Sequence, residues 1–268
     1  MHRTQVTAGP LRAGPLPAGP LPAVAAPAAD AERAGHQWPV VVLTYAYSGA
    51  ARIQHLLAAS PALACTSGTG LLLACAQAAA AWRQVDNRAG PLSSLAVSSI
   101  RALASSMISV ILAEAGKPRW CEVCFSSPSV GEAFLELYPQ TQFLCLHRSF
   151  PDVVRAGLGA NPGIGHAAIA AYWAERTGSL LRFREAHPAA CRQVRYEDLA
   201  GSPGEEARET FAFLGLGEPT PVLAEEETGD PLAGDPLAGA PLPASHLPIP
   251  LADRINELQA RLGYPPIS

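Results

Sequence analysis

Lysine is almost missing from this chain. Lys117 is the only one in 268 residues, so every other permanently cationic side chain is an arginine. Chemistry that needs an ammonium group therefore has one candidate, set in the loop-like stretch AGKPRW. Charged residues of all kinds reach only 16% and the formal net charge is −4, which removes the basic footprint of a nucleic-acid binder. The sequence reads as lacking an apolar run long enough to cross a bilayer, and its first residues lack the apolar core of a signal peptide. The six cysteines are scattered through apolar patterns, the usage of buried reduced thiols in a soluble cytoplasmic protein. Cys121-x-x-Cys124 has no second Cys/His pair at ligand spacing and WCEVCF reads as a strand, so no metal site is expected.

What is present is ample apolar material, 49% of the chain, enough for the core of one α/β domain. Residues 1–36 stand apart: Ala, Gly and Pro dominate, AGPL recurs from Ala8, Ala13 and Ala18, and such a stretch reads as a disordered extension. Residues 37–268 read as the folded domain, interrupted at about 220–250 by a second low-complexity stretch, GDPLAGDPLAGAPLP, expected to be a surface loop. Within the domain, short β-branched runs alternate with helical patterns. The expected fold is three-layered, with a mainly parallel central sheet and helices on both faces.

One stretch organises the rest, PVVVLTYAYSGAARIQHLL from Pro39 to Leu57. Val40–Leu43 has the continuous apolar pattern of a doubly covered strand. A turn at Ser48-Gly49 leads into a helix with Ile53, Leu56 and Leu57 on one face, leaving Arg52 and His55 elsewhere on its surface. A strand-to-helix turn presents unpaired N–H groups at the positive end of a helix dipole, which suits an anion. The same pattern also serves as an ordinary strand–helix junction. Downstream, the polar segment Thr66–Gly70 reads either as a pocket-lining loop or as a plain turn, and the strand QTQFLCL ends on His147-Arg148.

Five ordered motifs resemble the sulfotransferases that use 3′-phosphoadenosine-5′-phosphosulfate (PAPS). They are Tyr45-Ala46-Tyr47-Ser48-Gly49-Ala50-Ala51, KPRWCE, Leu146-His147-Arg148 with Pro151-Asp152-Val153 behind it, YWAERTGSLLRF, and RYEDLAGSPGEEARETFAFLGL; the likeness resumes in the terminal ARLGY. The resemblance implies a P-loop-like sulfotransferase fold. It implies a 5′-phosphosulfate on the backbone N–H groups after Ser48, with Gly49 permitting close approach. It assigns Tyr45, Tyr47, Ser48, Gly49, Ala50, Ala51, Arg52, Arg148, Ala156 and Tyr196 to the cofactor, with Arg148 on the 3′-phosphate and Tyr196 against the adenine. The bland alternatives are a surface ion pair of Arg148 with Asp152, and an aromatic lid on the core for Tyr196. Glu122 matches the acidic position that serves as base in some members; His55 and His147 are the alternatives.

The departures are as informative as the matches. The family's cationic position is Tyr47, its two hydroxyl positions are Ala50 and Ala51, a serine position is Ala156, and a second lysine position is Val123. Backbone contacts to the anion survive these changes, whereas side-chain contacts to phosphate and sulfonate largely do not. Each lost charge-assisted hydrogen bond is worth ~1.5–3 kcal/mol. The expected activity is sulfonate transfer from PAPS to a hydroxyl or amine of a small molecule, possibly in secondary metabolism, with no nucleic-acid or membrane partner and with a homo-oligomer left open. A sulfotransferase-fold binding protein without PAPS chemistry is the alternative. A nucleotide-kinase-like phosphotransferase is disfavoured, because no G-x-x-x-x-G-K-[ST] exists and Lys117 is misplaced for it.

Overall fold

The computed structural model describes residues 38–85, 90–161, 163–219 and 247–267. The extension at residues 1–36 and nearly all of the low-complexity segment at about 220–250 lie outside the described residues. Five strands form one parallel sheet in the order β2-β3-β1-β4-β5. They are β1 (Val40–Leu43), β2 (Leu63–Ser67), β3 (Arg119–Cys124), β4 (Gln142–His147) and β5 (Cys191–Arg195). β1 is central, with Val41 opposite Glu122 on one side and Phe143 on the other. From β1 the chain passes to β2 at one edge and steps back inward to β3 beside β1, then crosses to β4 and β5 on the other side. The C-terminal end of β1 is thus a switch point, where open α/β sheets leave a crevice for ligands.

Alternation along the strands divides the core. Val40, Val42, Cys121, Val123, Leu144 and Leu146 face one layer, made by α1 (Ala50–Ala58), α7 (Tyr196–Gly201) and α8 (Pro203–Leu214). Val41, Leu43, Trp120, Cys124, Phe143 and Cys145 face the other. That layer draws on α2 (Leu71–Val85), α3 (Ser94–Ala115), α4 (Pro128–Leu137), α5 (Phe150–Ala160), α6 (His166–Ala186) and α9 (Ile249–Leu262). Three apolar side chains on α1, Ile53, Leu56 and Leu57, are buried and contribute about 1.5–3 kcal/mol each. Arg119 closes the far end of the sheet: its guanidinium donates to the carbonyls of Trp38 (2.5 Å) and Leu214 (2.7 Å) and to Gln142 Oε1 (2.6 Å). The arginine of KPRWCE is therefore a buried tie between strands and α8.

Three features differ from the sequence expectation. α5 was not anticipated, since FPDVVRAGLGA carries two glycines that weaken helix propensity; burial of Phe150, Val153 and Val154 and a proline in the first turn carry it instead. The stretch Arg192–Tyr196 reads as a last core strand, whereas β5 ends at Arg195 and Tyr196 opens α7. And one apolar run does reach membrane-spanning dimensions: α3, at 22 residues, is long and apolar enough to cross a bilayer. Its Ala96, Ile100, Ala104 and Ile108 are buried against the rest of the domain, so one side of it belongs to the core. Cys121 and Cys124 point into opposite layers of the core, a placement in which they cannot share one ion.

Candidate functional site

The β1–α1 turn is held in an unusual backbone conformation. Tyr47 has φ 68° and Gly49 φ 83°, and a side chain in that region costs roughly 1–2 kcal/mol. Tyr172 fixes the turn by accepting the N–H of Ala46 (3.0 Å), while the Ser48 N–H goes back to the Tyr45 carbonyl (3.3 Å). Gly49 is the N-cap of α1 and no side chain caps the helix, so the N–H groups of Gly49, Ala50 and Ala51 define its positive end. The Ser48 hydroxyl is buried and shares a 2.5 Å hydrogen bond with Thr44 Oγ1. Tyr47 turns towards α5, with its ring against Gly157 and its hydroxyl bonded to Asn161. Ala156, beside Gly157, is buried and brings no polar atom.

Arg148 and Tyr196 converge on this turn. The Arg148 guanidinium lies 4.0 Å above the Tyr196 ring centroid, and its Nη1 donates to the Tyr47 carbonyl (3.4 Å). Arg148 is only 3% exposed, so it is not a surface residue. The Tyr196 ring sits so close to Gly49 that a Cβ there would lie 2.1 Å from Cδ2. Gly49 therefore answers two demands, a positive φ and room for the ring. Residues 49, 148 and 196 of three separate motifs make one cluster at the C-terminal end of β1 and β4.

A buried shell fixes this cluster. Tyr45 Oη accepts the N–H of Arg148 (3.1 Å) and is in donor range of its carbonyl (3.3 Å); Trp173 Nε1 donates to the same carbonyl (3.1 Å). Burial pushes the Tyr45 phenol up to about 12. Glu197 accepts the Ser149 N–H at the start of α5 (2.9 Å) and the Tyr264 hydroxyl (2.6 Å). That explains the recurrence of the likeness at ARLGY: its tyrosine braces the Tyr-Glu-Asp segment from just past the C-cap of α9. Burial and the neighbouring Glu197 carboxylate both raise the Tyr264 phenol. Sequence reasoning missed Tyr172, Glu197 and Tyr264 as supports, although all three sit within motifs it had singled out.

Glu122 occupies a separate, well-made niche on β3. Thr66 Oγ1 donates to Oε2 (2.5 Å), and the Thr69 N–H (2.9 Å) and hydroxyl (3.0 Å) reach Oε1. Trp120 Nε1 in turn donates to Thr66 (2.8 Å). The polar segment Thr66–Gly70 is thus more than a turn: its two threonines clamp a buried carboxylate. The other proposed groups are dispersed. Arg52 Nε donates to the Leu199 carbonyl (3.1 Å). His55 is exposed in the last turn of α1, and Lys117 bonds the Ala58 carbonyl (2.7 Å), also at the end of α1 away from Gly49. His147 is fully buried, with both ring nitrogens lacking a hydrogen-bond partner among the described residues. Burial first, then the charge of Arg184, lowers it to about 3, so it is a neutral core residue at ordinary pH.

Comparison with known proteins gives a consistent picture. No curated protein matches the chain in sequence. Among solved structures, a sulfotransferase domain from the olefin synthase of Synechococcus PCC 7002 is similar at 16% identity and a TM-score of 0.57, over 86% of this chain and 97% of that one. A sulfotransferase domain from the curacin biosynthetic pathway is similar at 16% identity and 0.57, over 85% and 98%. At these identities the likeness is one of fold. Residues 39–219, more than half of the chain, match the sulfotransferase family, and the chain belongs to that family.

Proposed function

We propose that this protein transfers the sulfonate group of PAPS to a hydroxyl or amine of a small molecule, in the reducing cytoplasm that suits its six free cysteines. The observation that carries the reading is the meeting of Gly49, Arg148 and Tyr196 beside the uncapped start of α1. In this arrangement the N–H groups of Gly49, Ala50 and Ala51 receive the 5′-phosphosulfate. Arg148, five N–H donors on a planar fork, takes the 3′-phosphate, and Tyr196 holds that fork and borders the adenine.

The acceptor approaches from the Thr66–Gly70 side. A carboxylate offers about four acceptor positions, and Thr66 and Thr69 fill three of them at Glu122. The remaining position receives the acceptor's proton as its oxygen or nitrogen attacks sulfur. The bond between sulfur and the bridging oxygen breaks, and adenosine 3′,5′-bisphosphate leaves with that electron pair. With no lysine near the turn, backbone N–H groups and arginine carry the leaving-group charge. Arginine does not surrender its proton, so the bisphosphate leaves as an anion.

The test is calorimetric titration with adenosine 3′,5′-bisphosphate. Micromolar binding is expected, weakened about 10- to 100-fold for each charge-assisted bond lost in Arg148→Ala. No binding at millimolar nucleotide would overturn the reading. Nucleotide binding without transfer to any acceptor would favour the non-catalytic alternative. The distance of Lys117 from the turn and the outward path of Tyr47 support that second reading.

A further inference from the structure

We propose that the outer face of α2 and α3 is a self-association surface on which a second copy of this chain docks. This stands apart from the proposed function and uses none of its residues. On α3, Leu95 is 65% exposed, Leu103 71%, Met107 49% and Val110 61%, and Leu73 on neighbouring α2 is 45% exposed. The spacing of 95, 103, 107 and 110 puts the four α3 side chains in one stripe along the helix. Ser106 and Ala102, exposed beside it, leave the backbone open to close approach.

The face is also nearly free of charge. Across α2 and α3 the charged residues are Arg83, Arg101 and Glu114. Arg83 is paired with Glu136, and Arg101 donates to the Leu137 carbonyl (2.9 Å). The other long helices differ: α6 carries Glu175, Arg176, Arg182, Arg184 and Glu185, and α9 carries Asp253, Arg254, Glu257 and Arg261. Exposed apolar surface of this extent, beside helices that carry five and four charges, marks an interaction site.

Three arguments select a second copy as the occupant. A surface without net charge of either sign can face itself with no like-charge opposition; in an antiparallel two-fold pairing the two Glu114 side chains fall at opposite ends. Its size also fits: α3 is about 33 Å long and α2 about 22 Å, each ~10 Å wide, so together they project about 550 Å². With side-chain relief this approaches the ~800 Å² that each partner buries in a standard interface. A lipid surface fits less well, because the stripe itself carries no Lys, Arg, Trp or Tyr, Trp82 packs against the core, and Arg83 and Arg101 are tied to Glu136 and the Leu137 carbonyl.

Sedimentation velocity of the full chain from low to high micromolar concentration tests this. The expected result is a reversible shift to the mass of two chains. Leu103→Glu and Met107→Glu should each weaken association at least 100-fold while leaving the thermal melt of the monomer unchanged, since both side chains are exposed. A native chain that stays monomeric throughout the range overturns the proposal. So does a dimer that persists in both variants, or recruitment of the monomer to neutral or anionic phospholipid vesicles through these same leucines.

Discussion

Gly49→Ala is the sharpest probe of the cluster at the β1–α1 turn. Two separate costs arise. A residue with a Cβ at φ 83° is strained by ~1–2 kcal/mol, and the new methyl would stand 2.1 Å from Tyr196 Cδ2, an overpacking worth ~1–3 kcal/mol. The single substitution should therefore lower the unfolding free energy by about 2–5 kcal/mol. In a Tyr196→Ala background the clash disappears and only the strain remains, so the same change should cost ~1–2 kcal/mol. Urea denaturation of the four proteins measures the coupling directly. Because the displaced ring also carries the Arg148 guanidinium, Gly49→Ala should weaken bisphosphate binding as Arg148→Ala does. Equal costs of Gly49→Ala in both backgrounds would refute the reasoning, since the ring would then be free to move aside.

Two other outcomes follow from the same geometry. Glu122→Gln should reduce sulfonate transfer by ~10²–10⁴-fold, the usual worth of a general base, with bisphosphate affinity unchanged; a fall of less than tenfold in single-turnover transfer from labelled PAPS would remove Glu122 from the mechanism. His147 predicts an acid sensitivity. Its folded value of about 3 lies below the ordinary 6.5, so between those limits the unfolded chain binds a proton that the folded chain does not. Stability is then lost as pH falls from 6.5 towards 3, by up to ~1.4 kcal/mol per pH unit. His147→Leu should flatten urea midpoints measured across that range by one proton's worth of slope, and an unchanged slope would disprove the assignment.

The middle of the sheet was legible because β1 (VVVL) and β4 (QFLCLH) are short, mainly apolar runs, and the helices because Ile53, Leu56 and Leu57 or their equivalents recur at helical spacing. The glycine of the turn and the arginine at the end of β4 were legible as motif members, and they do meet. The clash-tight fit of Tyr196 on Gly49 was not, since it depends on α7 starting at that residue. Nor was the inward path of Ser48 or the outward path of Tyr47: both follow from a positive φ at Tyr47, which no local rule anticipates for tyrosine. α5 was hidden by its glycines, yet Gly157 makes a tight fit there, since a Cβ would lie 2.9 Å from the Ile169 Cδ1 methyl and 3.2 Å from Tyr47 Cε2. The role of Thr66 and Thr69 became visible only once β2 was registered beside β3, with Thr66 opposite Glu122.

The phenol of Tyr45 has a consequence for the thermodynamics of ligand capture. By engaging both the N–H and the carbonyl of Arg148, with Trp173 on the same carbonyl, it freezes the backbone from which the guanidinium extends. Ordering a backbone residue costs ~1–2 kcal/mol and an arginine side chain up to ~2 kcal/mol; here both were surrendered when the chain folded. A phosphate arriving at Arg148 meets a preorganised donor and has little left to immobilise. A site poor in cations can in this way recover, through a small entropic penalty, part of the affinity that a mobile lysine would have supplied through charge.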